Sequence, residues 1–360
     1  MIGKLNFEIR LMTEADLAAV AKHHIIIYHS KRSEDVLKQL YRWKFFQRPE
    51  GRGIVAISVD DAGAVLGIYG GFPVKIKLGC REELMFMVGA NSVLPAFQGN
   101  GLSRALFAFF TQHVLETTAV KSIVGFPSRE SIGPGVRSFG YDLKLTMRRY
   151  TMPLNAYMQM NFDSGKFIHK IIKTLAAAAN ELFPSSSLKQ LPRGFGRLQI
   201  NRISILPDDY EAFLGKIYPQ YPNLFMRPRA TMEWRFFKEP NAHNEFYEIR
   251  NQSQLVGYFV LKISNYTVII EDFLVFKNRK LIQKSFFELM QLLKRRKSIG
   301  RVHLSICDPI LEEVLMDYQP VLKETCSFGI CQLSQVAPDV YHQFSDAYAW
   351  YLSHYEFGLG

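Results

Sequence analysis

Val93-Leu94-Pro95-Ala96-Phe97-Gln98-Gly99-Asn100-Gly101-Leu102-Ser103-Arg104 carries an apolar strand end through a turn with two glycines into an amphipathic helix. The first N–H groups of a helix have no intrahelical partner, and the macrodipole adds partial positive charge at that end. Glycine lets the turn adopt dihedrals closed to other residues and lets a ligand approach the backbone closely. The stretch therefore predicts a cradle for a phosphate or pyrophosphate.

The chain around it has 360 residues, 48% hydrophobic and 21% charged, with 28 Phe and 17 Tyr. That composition suits a globular protein of two ordinary domains with a sizeable core. The formal net charge of +11 suggests an anionic partner without naming it: a cofactor phosphate, a nucleotide-linked substrate, a nucleic acid or an anionic membrane. Cys80, Cys307, Cys326 and Cys331 match neither a zinc spacing nor a disulfide framework, so no metal is expected. The first residues, Met1-Ile2-Gly3-Lys4-Leu5-Asn6-Phe7-Glu8, lack the apolar core of a secretory signal. No apolar run reaches the length of a membrane span. The expectation is a cytoplasmic protein.

The sequence repeats. Tyr41-Arg42-Trp43-Lys44-Phe45-Phe46-Gln47-Arg48-Pro49 parallels Met232-Glu233-Trp234-Arg235-Phe236-Phe237-Lys238-Glu239-Pro240 at an offset of 191 residues. Val65-Leu66-Gly67 parallels Leu255-Val256-Gly257 at 190. Upstream, Ile9-Arg10-Leu11-Met12-Thr13-Glu14-Ala15-Asp16-Leu17 resembles Ile203-Ser204-Ile205-Leu206-Pro207-Asp208-Asp209-Tyr210. Each reads as a strand feeding a helix with acids in its first turn. Three landmarks in one order predict two copies of an α/β domain. Strands are expected near 54–60, 64–72 and 84–95 in the first, and near 245–250, 254–263 and 266–276 in the second, with hairpins closed by Asp60-Asp61-Ala62-Gly63 and Asn251-Gln252-Ser253. The domains are placed at 1–150 and 199–360. The connector at 151–198 has its own helix over 167–183. Where the first copy has its glycine turn, the second has Phe276-Lys277-Asn278-Arg279-Lys280-Leu281, a poor pyrophosphate cradle. The Trp-basic-Phe-Phe elements read as core. Lys294-Arg295-Arg296-Lys297 reads as a solvated helix end.

Val93, Pro95, Gln98, Gly99, Gly101 and Leu102, between a strand and a helix, resemble motif A of the GCN5-related N-acetyltransferases, the GNAT superfamily. Glu8 to Leu17 is similar to that family's opening strand and helix, Ile123-Val124-Gly125-Phe126-Pro127-Ser128 to its fifth strand, and Ser138-Phe139-Gly140-Tyr141 to the segment near its sixth. The resemblance is good over residues 6–150 and weak over 199–335. It implies an α/β fold with a mixed sheet, in two tandem GNAT-like domains of which the second is degenerate. It further implies acetyl-CoA, or another acyl-CoA, as co-substrate between strands four and five. Val93 and Leu94 would offer backbone groups to the pantetheine arm. Gln98, Gly99, Asn100, Gly101, Leu102 and Ser103 would bind the pyrophosphate, with Arg104 assisting by charge. Ser128 and Arg129 are candidates on the CoA side.

The family reaction is attack of an amine on a thioester, which calls for a base to deprotonate the amine. The resemblance implies backbone N–H groups of strand four for the oxyanion. Candidates for the base are Glu83 (with Glu82 beside it), Glu130, and Asn91 with Ser92 as holders of a water; His23 and His24 lie near the end of the first helix. The family's proton-donating tyrosine corresponds here to Val136, and Tyr141 reads as packing. Glu271 and Asp272 are placed where the second copy would wall a cleft. The expected function is acyl transfer from acyl-CoA to an amine of a small molecule, with an amino sugar, a cell-surface polysaccharide precursor, and anionic or nucleotide-linked acceptors as candidates, and without nucleic acid. Two alternatives stand beside it: a non-catalytic CoA-binding or scaffold protein, and a Fem-like aminoacyltransferase. Sequence leaves the oligomeric state open.

Overall fold

The computed structural model describes residues 7–154, 198–264, 266–296, 298–334, 343–346 and 349–357. The expected connector helix over 167–183, and Lys297, lie outside them. The first half runs β1 (Phe7–Leu11), α1 (Leu17–Tyr28), α2 (Glu34–Phe46), β2 (Ile54–Asp60), β3 (Val65–Leu78), β4 (Arg81–Val93), α3 (Leu102–Thr117), β5 (Ser122–Gly125), α4 (Arg129–Phe139) and β6 (Asp142–Pro153). The second runs β7 (Leu198–Ile203), α5 (Tyr210–Ile217), β8 (Asn223–Phe225), β9 (Asn244–Asn251), β10 (Gln254–Ser264), β11 (Thr267–Val275), α6 (Arg279–Lys294), β12 (Arg301–Cys307), α7 (Pro309–Met316), β13 (Val321–Gln332) and β14 (Trp350–Ser353). The β3–β4 hairpin is longer than expected. Its strands pair as far as Leu78 with Arg81, because apolar residues alternate up to Leu78 and Gly79 takes a positive φ at the turn.

All these strands form one sheet whose main path is β1-β2-β3-β4-β5-β13-β6-β12-β11-β10-β9-β7. The order from either end is equivalent: first strand, hairpin, fourth strand, then a fifth strand parallel to the fourth. β4 pairs in parallel with β5, and β11 with β12. The centre is intertwined. β13, from the second half, lies between β5 and β6 of the first, and β6 lies between β13 and β12. The repeated tryptophans meet at this seam. Trp43 and Trp234 stack with centroids 4.1 Å apart. Each indole N–H donates to the other's carbonyl, at 3.1 and 3.3 Å. One hydrophobic core runs across both halves. A second, under α3, joins Leu102, Leu106, Phe110 and Val114 to Tyr69, Phe86, Phe139 and Tyr141.

Both fourth strands carry a bulge. Gly71 faces Val88 and Gly70 faces Ala90, so Gly89 is the extra residue in β4. In β11, Val260 faces Asp272 and Leu261 faces Ile270, so the extra residue is Glu271. Bulges re-aim a strand and end its pairing. β4 and β5 stay paired only at Phe86–Ile123 and Met87–Val124, then diverge.

Candidate active site

The divergence opens a cavity of about 240 Å³ lined on β4 by Val88, Gly89, Ala90 and Asn91, on the β5 side by Gly125, Phe126, Pro127 and Ser128, and by Tyr69, Phe139 and Tyr141. Tyr141 is buried and its hydroxyl meets that of Tyr69 at 3.2 Å. It thus combines packing with a place in the cavity wall.

A second cavity, of about 480 Å³, continues from the first past Asn91 and Ser128 to Gln98, Gly99, Gly101, Leu102 and Ser103. Gly99 and Gly101 both have φ +80°, and no atom lies within 4 Å of where a Cβ would stand. Gln98 Nε2 donates to Val93 O at 2.9 Å and ties the turn to the strand end. No side chain caps α3, so the first-turn donors remain available to an anion. That uncapped turn in open space fits a pyrophosphate.

Leu94, Asn100 and Arg104 stand outside the cavity lining. Leu94 N is spent on Leu66 O at 2.9 Å, and Val93 O on Gln98, which differs from the expected pantetheine contacts of these two residues. Ser128 precedes α4 and lines both cavities; its Oγ lies 2.6 Å from that of Ser131.

The proposed bases separate. Asn91 lies at the junction of the two cavities. Glu130 lines the second cavity and not the first. The backbone N–H at Glu130 and the Ser128 hydroxyl hold its carboxyl below the usual range. Glu83 is not brought to either cavity. It pairs with Ile76 near the far end of the hairpin, about 17 Å along the strand from Val88 at ~3.3 Å per residue. Its misplacement follows from the longer strand. Val136 is exposed and lines neither cavity.

A third cavity, of about 430 Å³, lies between the halves and shares Tyr28, Gly89 and Ala90 with the first. His24, Arg32, Tyr41 and Lys44 come from α1, α2 and the turn between them; Glu239 and Lys262 come from the second half. Tyr28 lines all three cavities. Burial raises its pKa, partly offset by the neighbouring Ser92 hydroxyl. Ser92 Oγ lies 2.9 Å from His23 Nε2, and His23 Nδ1 lies 3.0 Å from Val65 O. A carbonyl only accepts, so Nδ1 carries the proton and Nε2 accepts from Ser92. Burial lowers the His23 pKa, keeping it neutral. His24 is pushed down to about 4, first by burial and then by Arg32 and Lys44. Lys44 Nζ donates to Gly89 O at 2.7 Å. Burial, then the charges of Arg48 and Arg235, push its pKa down to about 7. Tyr28, Lys44, Glu239 and Lys262 escaped sequence reasoning. Lys44 is the basic residue of the Trp-basic-Phe-Phe repeat, whose helical spacing signals core and nothing more.

The second half closes the equivalent places. Asn278 caps α6 with its own side chain, accepting from Leu281 N at 3.1 Å. Beyond the β11–β12 pairing, β14 bonds to β12 at Ile306 and Cys307. β6 already holds the other edge of β12 at Ile306, so β14 fills the edge that β11 leaves. Asp272 and Glu271 therefore wall no open cleft. Asp272 takes bonds from Arg227 (2.8 Å), Tyr258 (2.8 Å) and Ser353 (2.8 Å), and Glu271 from Arg235 (3.1 Å).

Among the described residues no helix is long and apolar enough to cross a membrane. Residues 8–143 match the family model of the acetyltransferase (GNAT) domain. A search of curated proteins finds no match. Solved structures share the fold. A GCN5-related N-acetyltransferase from Anabaena variabilis superposes with TM-score 0.60 at 13% identity over 91% of this chain and 73% of its own. A tandem GNAT protein from the clavulanic acid biosynthesis pathway gives 0.58 at 9% over 92% of this chain and 100% of its own. The Saccharomyces cerevisiae N-myristoyltransferase with bound myristoyl-CoA gives 0.62 at 11% over 94% and 85%. The acetyltransferase match thus identifies a GNAT domain in the first half, and the second half mirrors its strand order.

Proposed function

We propose that the protein transfers an acyl group from acyl-CoA, with acetyl-CoA the first candidate, to a primary amine of a small molecule. The observation that carries this is the diverging β4–β5 pair, open and continuous with an uncapped glycine turn in one half only. Acyl-CoA supplies the acyl group activated as a thioester. Backbone N–H groups over Gly99–Ser103 would hold its pyrophosphate, Val93 and Ser128 would flank the arm, and Gly89 to Asn91 would face the acyl end.

The acceptor enters from the cavity between the halves. Arg32 in its wall favours an amine that also carries an anionic group, such as a phosphorylated or nucleotide-linked amino sugar. Its proton passes along Tyr28 and Ser92 to His23 Nε2, a neutral acceptor one hydroxyl removed from the cavity. This assigns the base to His23 rather than to Glu83 or Glu130, and gives Asn91 the task of orienting the acyl end. Tyr28 supplies a hydroxyl where Val136 cannot, which favours an enzyme over a CoA-binding scaffold. The open turn favours CoA over aminoacyl-tRNA as donor.

Thermal-shift measurement with acetyl-CoA and longer acyl-CoAs tests the reading. A ligand at ~100 times its Kd adds roughly 2.7 kcal/mol, a readily measured rise in Tm. The Gly99→Glu, Gly101→Glu double variant is expected to lose it. No rise with any acyl-CoA in the wild type would refute the proposal.

A further inference from the structure

We propose that Lys44 is itself an acyl acceptor: with acyl-CoA in the β4–β5 cleft and no small-molecule amine present, the chain acylates its own Lys44 Nζ. This rests on the reading of that cleft as an acyl-CoA site.

Position comes first. Lys44 Nζ sits on the carbonyl of Gly89, the bulge residue where β4 leaves β5. A Cβ at Gly89 would meet the Phe72 ring at 2.5 Å and Lys44 Cε at 2.9 Å, so glycine is what lets the lysine stem lie against the strand. Lys44 lines the amine-side cavity, and that cavity meets the acyl-side cavity at Gly89, Ala90 and Tyr28. The chain thus carries an amine at the mouth through which an acceptor amine would come.

The second half provides an internal comparison. Arg235 stands at the position of Lys44 in the repeat, and Glu271 at the bulge position of Gly89. There the two form an ion pair at 3.1 Å. In the first half the carboxylate is replaced by glycine and the arginine by lysine, the cation that can give up its proton. Among the described residues no carboxylate pairs with Lys44; Glu239, in the same cavity, pairs with Arg235 and Lys262. The groups facing Lys44 are the cations Arg48 and Arg235, His24, and the Phe45 and Phe72 rings at 5.5 and 5.8 Å. Burial and the charges of Arg48 and Arg235 outweigh the two rings and the Gly89 carbonyl, which hold the ammonium, and push Lys44 toward the neutral, nucleophilic amine.

In the step, the nitrogen lone pair attacks the thioester carbonyl carbon. The C–N bond forms, the C–S bond breaks, and the electron pair leaves with sulfur. One proton from the nitrogen ends on the thiolate. The products are Nε-acyl-Lys44 and CoA, with no further reactant. The acyl-lysine has lost its titratable amine and stands in the acceptor cavity, so the modification blocks that cavity.

The experiment incubates the full chain with acetyl-CoA alone and follows intact mass and peptide mapping. The expected result is one acetyl per chain on the peptide carrying Lys44. Its rate should rise with pH to a plateau just above 7. A surface lysine with pKa ~10.4 is neutral at only roughly one part in a thousand at pH 7.5, so labelling of Lys44 should exceed the average surface lysine by roughly 100-fold. Lys44→Arg should remove the adduct, as should Gly99→Glu, Gly101→Glu. If either variant misfolds, the site and pH dependence in the wild type decide. Thermal stabilisation by acetyl-CoA without a Lys44 adduct, or labelling spread as in the urea-unfolded chain, overturns the inference and leaves the cleft reading standing. Absence of stabilisation overturns the cleft reading itself.

Discussion

Lys44 binds its proton less tightly in the folded chain than in the unfolded one, because burial and two arginines oppose its charge. Between pH 7 and the unfolded value near ~10.4 the unfolded state holds more protons, so this group makes stability rise with pH. Below pH 7 the folded chain bears the full penalty of a buried ammonium. Lys44→Met should therefore raise Tm most at or below pH 7, with the difference from wild type shrinking toward pH 10. Parallel melting curves across that range would contradict it. Gly101 poses the opposite case, since its contribution is conformational. A Cβ there meets nothing within 4 Å, but φ is +80°. Gly101→Ala should cost about 1 kcal/mol from backbone strain alone, read from the urea midpoint, and should weaken acyl-CoA binding further. The glycine turn was legible in the sequence because its function resides in the backbone of consecutive residues. Lys44 was not, because its chemistry arises from Arg48, Arg235 and Gly89, brought together only by folding.

At the scale of elements, the two halves differ where each parallel pair splays. β4 and β5 part around open space, while β11 and β12 part around β14. Charge inside the second gap is fully enclosed: Arg227 pairs with Asp272 at 2.8 Å and Glu356 at 2.7 Å, with none of the three side chains exposed. Removing one partner of a buried pair leaves an uncompensated charge and costs about 3–5 kcal/mol. Arg227→Met, which strands two carboxylates, should lie at or above that range in urea unfolding. At temperatures where it stays folded, the variant should keep its thermal response to acetyl-CoA, since the open cleft is in the other half. Loss of the response with retained fold would tie the two gaps together. Sequence periodicity located β9, β10 and β11 closely, because an alternating apolar pattern is local. It could not locate β14. Trp350-Tyr351-Leu352-Ser353 is four residues long, and it forms a strand because β12 and β8 present free edges to it.

For the molecule as a whole, the offset of 191 residues in the sequence announced a duplicated fold but not how the copies join. A pairwise repeat is read along the chain; a swapped strand order is a property of edges that meet in space. β5 finds its partner in β13 and β12 finds its partner in β6, so neither half completes its sheet alone. The seam adds Trp43 and Trp234, stacked and reciprocally hydrogen-bonded. Trp43→Ala should cost about 3–5 kcal/mol as a large core truncation. These contacts argue that the halves unfold together, although chains of this size often pass through domain-wise intermediates. The three tryptophans lie at the seam (Trp43, Trp234) and in the plugging strand (Trp350), so their fluorescence reports the junction while far-ultraviolet circular dichroism reports the sheet. The two signals should fall on one urea curve with a common midpoint. The isolated segment 1–154 should either fail to give a cooperative transition or dimerise through the exposed edges of β5 and β6. A monomeric, cooperatively folding 1–154 fragment would show that the first half carries its own stability and that the exchanged strands are dispensable.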